Sequence, residues 1–209
     1  MFTMISPESE IVFIIDDDKS VRSALSLFLT AGGYQVETFE SSEEYLEREA
    51  FEGTGCIILD VNLGGKSGPE LQEELIAAGS HLPIIFISGR ANIHQSVSAV
   101  KKGAVNFLEK PFQDDELLQA VSEALNLSRI LKEEKEENTE ALNLIASLTP
   151  RESEILRYLL TGMLNKQIAN QLQIAEQTVK LHKRSISMKL GVRSIAEIIR
   201  IANKAGISN

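Results

Sequence analysis

Acidic residues follow two apolar segments in the first third of the chain. An Asp-Asp-Asp triplet at 16–18 directly follows Ile11–Ile15, and Asp60 directly follows Cys56–Leu59. Carboxylates that lie close together repel one another and do not all ionise easily without a cation. Mg²⁺ prefers oxygen ligands and accepts phosphate oxygens into the same shell. If the two apolar segments form neighbouring strands, the sequence predicts that these carboxylates converge on a divalent cation and a phosphate.

Two further polar residues stand at the ends of later apolar segments. Ser88 follows Ile84–Ile87 and offers a hydroxyl group to a phosphate, while Lys110, just after Asn106–Leu108, offers a positive charge. Each residue type alone is ordinary, because an Asp at a strand end commonly caps a turn and lysines are mostly exposed. The joint placement at four strand ends predicts the site, and Asp18 is expected to be only a solvated neighbour.

The elements that would position these residues alternate over the first 125 residues. Continuous apolar segments are typical of strands buried on both faces of a parallel sheet. The predicted strands are 11–15, 34–39, 56–59, 84–87 and 106–108, and helical patterns lie at 21–29, from 41, and around 69–78, 92–102 and 114–130. This order predicts an α/β fold class with a five-stranded, doubly wound parallel sheet of the flavodoxin-like type. Its ligand site would lie at the carboxyl ends of the strands.

The remainder of the chain is predicted to be helical. Thr149-Pro150-Arg151-Glu152 combines a capping threonine, a proline at the first helical position and a glutamate that closes the capping box. Further helices are predicted from residue 165, from a turn at 173–174 to residue 191, and from residue 194. The last part of the chain is therefore expected to be an all-α domain of four helices.

A segment rich in Glu, Lys, Asn and Leu separates the two parts. Its heptad positions include Asn138, Ser128 and Lys135, so we expect a solvated helical linker rather than a coiled coil. These patterns predict an α/β domain over 9–125, a helical linker over 126–147 and an all-α domain over 148–209.

The formal net charge of −9 combines two unlike parts of the chain. Residues 1–125 contain 8 Lys and Arg against 21 Asp and Glu, residues 126–148 contain 3 against 5, and residues 149–209 contain 10 against 4. An acidic first part joined to a basic last part indicates separate tasks, with a polyanion as a candidate partner for the basic part.

Cysteine usage and hydropathy indicate the compartment. Cys56 is the single cysteine, and its apolar neighbours predict a buried, inert thiol. The sequence has neither a signal-peptide pattern nor an apolar stretch that could span a bilayer. We therefore expect a cytoplasmic protein that does not associate with a membrane.

Residues 11–125 resemble the receiver domains of two-component response regulators. The matching features are the apolar strand into Asp16-Asp17, Asp60 after Ile57-Ile58-Leu59, Ser88-Gly89, and Lys110-Pro111-Phe112. The resemblance implies that Asp60 accepts a phosphoryl group as an acyl phosphate. It implies that Mg²⁺, or Mn²⁺ in its place, is bound by Asp16, Asp17, Asp60 and the backbone carbonyl of Asn62. It also implies a cis Lys110–Pro111 bond, contact of Lys110 with the phosphoryl oxygens, closure of Ser88 on the phosphate, and an inward turn of Phe107.

Some positions depart from the pattern of this family. Gly64 replaces the proline of most relatives and makes the loop after Asp60 more flexible, and Ser88 replaces the commoner threonine. Asn62 and Arg90 occupy positions that influence the lifetime of the acyl phosphate, so that lifetime is not carried over from the family.

Residues 149–205 resemble the LuxR/NarL type of helix-turn-helix domain, and the whole chain is similar to the FixJ and StyR group. The matching features are Leu148–Glu152, Asn165–Ala169, Thr178–His182 and Lys189–Ser194. The resemblance implies that Lys180, Leu181 and Arg184 reach base edges or adjacent phosphates in the major groove. Lys183 is expected on the same solvent-facing side, and Lys166 and Thr178 near helix starts are expected to contact phosphates.

The resemblance implies a cytoplasmic response regulator rather than an enzyme that turns over an external substrate. A sensor histidine kinase would phosphorylate Asp60, and the protein would form a homodimer and bind a double-stranded DNA operator to regulate transcription. The dimer would form through the face of the helix at 92–102 and the fifth strand, and RNA polymerase is a further candidate partner.

Two alternative hypotheses remain open at the level of the sequence. The spacing of Asp16, Asp18 and Ser20 also fits the nucleophile motif of haloacid-dehalogenase phosphatases, in which Asp16 would be phosphorylated. However, the loops are too short for a substrate-capping insertion. The second alternative is an atypical regulator that is controlled by a partner or a small molecule instead of phosphorylation.

Overall fold

The computed structural model describes residues 10–89 and 103–207 of the 209-residue chain. The chain forms two compact units, one up to Lys132 and the other from Glu133 onwards. The division falls inside the segment 126–147, which the sequence predicts to be a linker. The domain limits that were set at 125 and 147 stay predictions.

The first unit is built on a five-stranded parallel sheet. Its strands are β1 (Ile11–Ile15), β2 (Gln35–Phe39), β3 (Gly55–Asp60), β4 (Ile84–Ser88) and β5 (Asn106–Glu109). They are ordered β2-β1-β3-β4-β5, and all neighbouring strands are parallel. This order confirms the predicted doubly wound fold and places the carboxyl ends of β1, β3, β4 and β5 side by side.

Helices lie between the strands and after the last one. Those in the described part of the chain are α1 (Lys19–Ala31), α2 (Ser42–Glu47), α3 (Gly68–Ala77) and α4 (Asp114–Ala146). Asp18 has a definite role at the start of α1, because its side chain accepts hydrogen bonds from the N–H groups of Ser20 and Val21. The helix that the sequence predicts around 92–102 lies outside the described residues.

The sheet has a buried core on each face. One core contains Phe13, Ile57, Phe86 and Leu71, and the other contains Val12, Ile58, Ile85, Leu117 and Val121. Burial of both faces explains why the strands read as continuous apolar segments. Cys56 is fully buried in the second core, and this burial raises the pKa of its thiol to about 12, which agrees with the predicted inert cysteine.

Helix α4 continues without a break from the first unit into the predicted linker, over 33 residues. Ser128 interrupts the heptad pattern in the sequence, but in the structure it is fully buried. Its hydroxyl oxygen accepts a hydrogen bond from the N–H group of Gly55 at 3.1 Å. The helix is therefore attached to the beginning of β3 at this point.

The second unit contains a compact arrangement of helices. After the end of α4 at Ala146, the chain up to residue 207 forms α5 (Pro150–Leu160), α6 (Asn165–Leu172), α7 (Glu176–Lys189) and α8 (Ile195–Lys204). The capping box of Thr149 and Glu152 at the start of α5 is confirmed. Gln173 takes the left-handed conformation (φ 52°) and forms the turn between α6 and α7. In the described part of the chain, no helix combines the length and the apolar character needed to cross a bilayer.

Candidate functional site

The carboxylates of Asp16 and Asp60 lie on either side of the Lys110 ammonium group. Lys110 Nζ is 2.6 Å from Asp16 Oδ2 and 2.7 Å from Asp60 Oδ1. The remaining carboxylate oxygens accept backbone hydrogen bonds, Asp16 Oδ1 from Asp18 at 2.8 Å and Asp60 Oδ2 from Asn62 at 2.6 Å. The two aspartates are only 1% and 5% exposed, so the lysine compensates buried negative charge.

The sheet topology brings these residues together from distant parts of the chain. Strands β1 and β3 are neighbours, and their register places Asp16 next to Asp60 at the carboxyl edge. Lys110 follows β5, and its backbone N–H donates to the carbonyl oxygen of Ser88 at the end of β4, at 2.8 Å. The Lys110–Pro111 peptide bond is cis, as the sequence resemblance implies.

Burial and ion pairing act in opposite directions on the pKa values of this cluster. Burial raises the pKa of Asp16 above its ordinary 3.8, and this effect outweighs the hydrogen bonds from Lys110 and Asp18. Burial lowers the pKa of Lys110, but its hydrogen bonds to Asp16 and Asp60 outweigh that effect and leave the pKa above 10.5. Lys110 therefore keeps its proton at neutral pH and provides a positive charge beside Asp60.

Ser88 and Phe107 lie on the two strands that follow β3 in the sheet. Ser88 is fully buried, and the residue before it is paired with Asp60 across the β3–β4 register. Phe107 is half-buried, and its ring centroid is 6.5 Å from that of Phe86. The structure thus brings Ser88 to the same edge as Asp60, and the proposed switching roles of both residues stay predictions.

The predicted metal ligands are brought together in part. Asp16 and Asp60 share Lys110, whereas Asp17 is exposed and its Oδ2 lies 3.6 Å from the position of a Cβ on Gly64. Within residues 10–89 and 103–207, no group of three or more His, Cys, Asp or Glu side chains is arranged to hold a metal ion. Lys110 is the cation between the two buried aspartates in this arrangement. The donor chemistry, carboxylate and carbonyl oxygens, nevertheless fits a hard cation such as Mg²⁺.

Arg22 and Gly68 also contact the backbone of the acidic cluster, although no sequence pattern assigns them to it. The Arg22 guanidinium group donates to the backbone carbonyl of Asp16 at 2.6 Å and lies 3.8 Å from the Glu40 carboxylate. Gly68 starts α3 against the backbone carbonyl of Asp60, where no side chain would fit. No motif indicates Arg22, and the proline after Gly68 signals a helix start but not this contact.

The predicted DNA-contacting residues lie mainly on α7, the helix that follows the turn at Gln173. Val179 and Ile186 are fully buried in the core of the second unit. Lys180, Leu181 and Arg184 are exposed, and 60% of the Leu181 surface is accessible. The exposed Leu181 and the two basic residues give this helix a solvent-facing surface that is both apolar and basic. An α-helix of this kind fits into the major groove of DNA.

The other predicted DNA contacts differ in exposure. Lys166 is exposed in the first turn of α6, and Thr178 is half-buried in the first turn of α7. Lys183 is half-buried, and its Nζ donates to Asn165 Oδ1 at 3.0 Å, which connects α7 to α6. Their contacts with nucleic acid stay predictions.

Glu152 is buried and joins α5 to α7 through hydrogen bonds of its carboxylate. Its carboxylate accepts from Lys189 Nζ at 2.6 Å, from Ser185 Oγ at 2.6 Å, and from the backbone N–H of Thr149 at 2.8 Å. Burial raises the pKa of Glu152, but the hydrogen bonds from Lys189, Ser185 and Thr149 outweigh it and lower the pKa to about 2. The sequence identifies Glu152 only as part of a capping box. In the fold, the Glu152 carboxylate also binds Ser185 and Lys189 of α7.

Comparison with known families assigns a class to each unit. The family described as response regulator receiver domain matches residues 12–122, and the family described as bacterial regulatory proteins, luxR family, matches residues 146–202. The chain belongs to the response regulators that regulate transcription through a LuxR-type DNA-binding domain, which are not typical enzymes. Receiver domains of this kind generally bind Mg²⁺ at their acidic pocket, and the two domains imply a sensor kinase and DNA as partners. The assignment confirms the predicted family and is contrary to the phosphatase hypothesis.

The similarity extends over nearly the whole chain. Nodulation protein W of Bradyrhizobium diazoefficiens is 40% identical over 198 residues, which cover 95% of this chain and 87% of that protein. The response regulator protein TodT of Pseudomonas putida is 39% identical over 95% of this chain and 88% of its own length. Among solved structures, the response regulator StyR has a TM-score of 0.80 and 41% identity, over 94% of this chain and 99% of StyR. Full-length FixJ from B. japonicum has a TM-score of 0.57 and 31% identity, over 97% of this chain and 100% of that chain.

Proposed function

We propose that this chain is a phosphorylation-controlled regulator of a two-component system and that Asp60 is its phosphoryl acceptor. An Asp60 carboxylate oxygen would attack the phosphorus of a phosphohistidine on the sensor kinase. The new O–P bond forms as the P–N bond breaks, and the electron pair of that bond stays on the imidazole nitrogen. The observation that supports this proposal most directly is the position of Lys110 Nζ, within 2.7 Å of a carboxylate oxygen of each aspartate, Asp16 and Asp60.

The oxygen ligands at the sheet edge would hold the metal ion. Asp16, Asp17, Asp60 and the backbone carbonyl of Asn62 would bind Mg²⁺ or Mn²⁺. The bound ion supplies positive charge for the phosphoryl oxygens.

Three residues around Asp60 would respond to the phosphoryl group. The Lys110 ammonium group would move its hydrogen bonds from carboxylate to phosphoryl oxygens. Ser88 would donate its hydroxyl hydrogen to another phosphoryl oxygen, and Phe107 would turn inward into the space that Ser88 leaves. The acyl phosphate would then be lost by reaction with water, with Asn62 and Arg90 influencing its lifetime.

The output of this change would be DNA binding. Phosphorylation replaces the single negative charge of the Asp60 carboxylate with a phosphoryl group that carries about −1.5 to −2 charges, and it would shift an existing equilibrium towards a homodimer. The dimer would use β5 and the helix predicted at 92–102, which lies outside the described residues. Two recognition helices would read a roughly palindromic operator in the cytoplasm, and RNA polymerase is a candidate partner there. The proposed DNA contacts are Lys166, Thr178, Lys180, Leu181, Lys183 and Arg184.

Intact mass after incubation with acetyl phosphate and Mg²⁺ tests the acceptor role. We expect one added phosphoryl group in the wild type and none in Asp60→Asn or in the wild type without Mg²⁺. Transfer from the cognate kinase replaces acetyl phosphate as donor if the small donor does not react. Absence of transfer from both donors would instead favour a regulator controlled by a partner or a small molecule.

Fluorescence anisotropy with labelled promoter DNA tests the output. Phosphorylated wild type should bind more tightly than unmodified protein, while Asp60→Asn should bind equally with or without phosphodonor. Equal affinity of the two wild-type forms would contradict the proposed switch.

A further inference from the structure

Gly68 lies against the backbone of the residue that we propose as phosphoryl acceptor. A Cβ atom at Gly68 would be 2.4 Å from the carbonyl oxygen of Asp60, 3.0 Å from Phe86 Cε1 and 3.1 Å from Leu59 Cγ. Gly68 is the first residue of helix α3 and has no left-handed backbone that would require glycine. Because two backbones approach closely here, a side chain at this position would force neighbouring atoms to move.

A backbone hydrogen bond of Gly68 also closes the loop that follows Asp60. The Gly68 N–H donates to the carbonyl oxygen of Val61 at 3.2 Å, and the Val61 N–H donates to that of Ile87 at 3.0 Å. Inside this closed loop, the Asn62 N–H donates to Asp60 Oδ2 at 2.6 Å. The start of α3, the loop and the Asp60 carboxylate thus form one connected arrangement.

From these contacts we propose that Gly68 is a positioning residue for phosphoryl transfer. Its missing side chain lets α3 close the loop so that the Asn62 N–H holds the Asp60 carboxylate in place. The proposal rests on the proposed role of Asp60 as acceptor. An alanine at position 68 would have to move from 2.4 Å to about 3.4 Å from the Asp60 carbonyl oxygen to reach ordinary contact. A displacement of about 1 Å near reacting groups reduces rates by up to about 100-fold.

The first test is the rate of phosphorylation of Gly68→Ala by acetyl phosphate and Mg²⁺, followed by intact mass. We expect a rate constant about 10- to 100-fold below that of the wild type. Gly65→Ala is the matched control, because a Cβ there meets only the flexible Glu43 carboxylate, at 3.3 and 3.5 Å. Gly65→Ala should react at the wild-type rate.

A double variant separates backbone positioning from core packing. Phe86→Leu removes the aromatic carbon nearest to the new Cβ but leaves the Asp60 carbonyl oxygen in place. If Gly68 positions Asp60, then the folded double variant Gly68→Ala with Phe86→Leu stays slow, although Phe86→Leu alone reacts normally. Recovery of the wild-type rate in the double variant would show that glycine only makes room for Phe86. The double variant decides between these even if Gly68→Ala alone does not fold.

Amide hydrogen exchange measured by NMR provides a readout that general destabilisation does not reproduce. In folded Gly68→Ala the Asn62 amide should lose protection while the amides of Ile14 and Ile58 keep theirs. Wild-type phosphorylation together with wild-type Asn62 protection in folded Gly68→Ala would overturn the inference. Failure of the wild type to be phosphorylated by both acetyl phosphate and the cognate kinase, or a phosphoryl group retained in Asp60→Asn, would instead refute the proposed acceptor role.

Discussion

Among single residues, Lys110 determines the charge balance of the acidic cluster. Asp16 and Asp60 are buried, and each has a carboxylate oxygen within 2.7 Å of Lys110 Nζ. Buried carboxylates without a counter-charge are strongly unfavourable, because the protein interior does not replace the water that solvates them. Removal of this lysine therefore affects both aspartates at once.

We expect Lys110→Met to lower the free energy of unfolding of the first unit by about 2 kcal/mol at pH 7. Removal of one partner from a fully buried ion pair lowers the free energy of unfolding by more than this. The smaller value is expected here because the Lys110 side chain is 23% exposed and partly screened by water. Lys66→Met is the control, because Lys66 pairs with the half-exposed Glu74 and should contribute less than about 1 kcal/mol. Hydrogen exchange of β1 and β3 amides measures the stability of this unit. Adding Asp16→Asn to Lys110→Met should recover part of the loss, and no recovery would contradict the charge argument.

Glu152 makes the stability of the second unit dependent on pH. Its pKa of about 2 in the folded protein lies below its ordinary value of 4.5, so the unfolded chain binds the proton more readily. The stability contributed by the Glu152 carboxylate is therefore present above pH 4.5 and is lost as the pH falls from 4.5 towards 2.

Glu152→Gln should destabilise the second unit by about 1.5–3 kcal/mol at pH 7, which is the usual contribution of a hydrogen bond to a charged group. The difference from the wild type should shrink as the pH falls below 4.5. Hydrogen exchange of α5 and α7 amides at several pH values measures it. Glu154→Gln is the control, since Glu154 pairs with Arg151 at the surface. A difference for Glu152→Gln that stayed constant from pH 7 to pH 2.5 would be contrary to the argument.

At the scale of elements, α4 is attached to β3 through Ser128. The strand carries Asp60 at its carboxyl end and Gly55 at its beginning, where the Gly55 N–H donates to the Ser128 hydroxyl. A Cβ at Gly55 would be 2.7 Å from the carbonyl oxygen of Ile11, so this strand end is tightly packed as well. The hydrogen bond fixes which turn of α4 contacts the beginning of β3.

Ser128→Ala should destabilise the first unit by about 1–3 kcal/mol, because it leaves a buried N–H group without an acceptor. Ser122→Ala, at an exposed position of the same helix, should change the stability by less than about 0.5 kcal/mol. Hydrogen–deuterium exchange that resolves the Gly55 amide measures the effect directly. Unchanged exchange of this amide in Ser128→Ala would show that the hydrogen bond contributes nothing.

At the scale of the whole molecule, the net charge of −9 conceals a basic last part of the chain, residues 149–209. Binding of a protein with this net charge to DNA must depend on where its basic residues lie rather than on their total number. Arg184 is exposed on α7, whereas Lys204 on α8 forms an ion pair with Glu137. Substitution of Arg184 or of Lys204 by alanine changes the net charge by the same amount. Comparison of the two variants therefore tests whether DNA binding depends on the position of the positive charge.

Arg184→Ala should weaken DNA binding more than Lys204→Ala does. If Arg184 contacts a phosphate, its loss should reduce the slope of log affinity against log salt concentration by about 0.9; if it contacts a base edge, discrimination should fall by about 1–3 kcal/mol. Anisotropy titrations at several salt concentrations, with specific and non-specific DNA, measure both quantities. Equal effects of the two substitutions would refute the assignment of α7 as the recognition helix.

Much of the fold could be predicted from the sequence, because the signals are local. Strand β1 was predicted to its last residue, since a parallel strand buried on both faces is a continuous apolar segment. The start of α5 follows from the cap at Thr149 and Glu152. The end of α4 at Ala146 was not predicted, because a polar helical pattern does not show where packing against one unit stops. For the same reason, the polar pattern of this helix did not indicate that Ser128 is buried.

The sequence by itself determined that Asp16, Asp60, Ser88 and Lys110 stand at strand ends, because residue type and strand pattern are readable along the chain. Only the tertiary structure decided how these residues pair. Lys110 contacts Asp16 across 94 positions, which depends on the order of the strands in the sheet. The contact of Gly68 with the Asp60 carbonyl depends on how closely α3 packs against β3. Local sequence patterns do not encode the distances of these two contacts, because the distances depend on how several elements pack against one another.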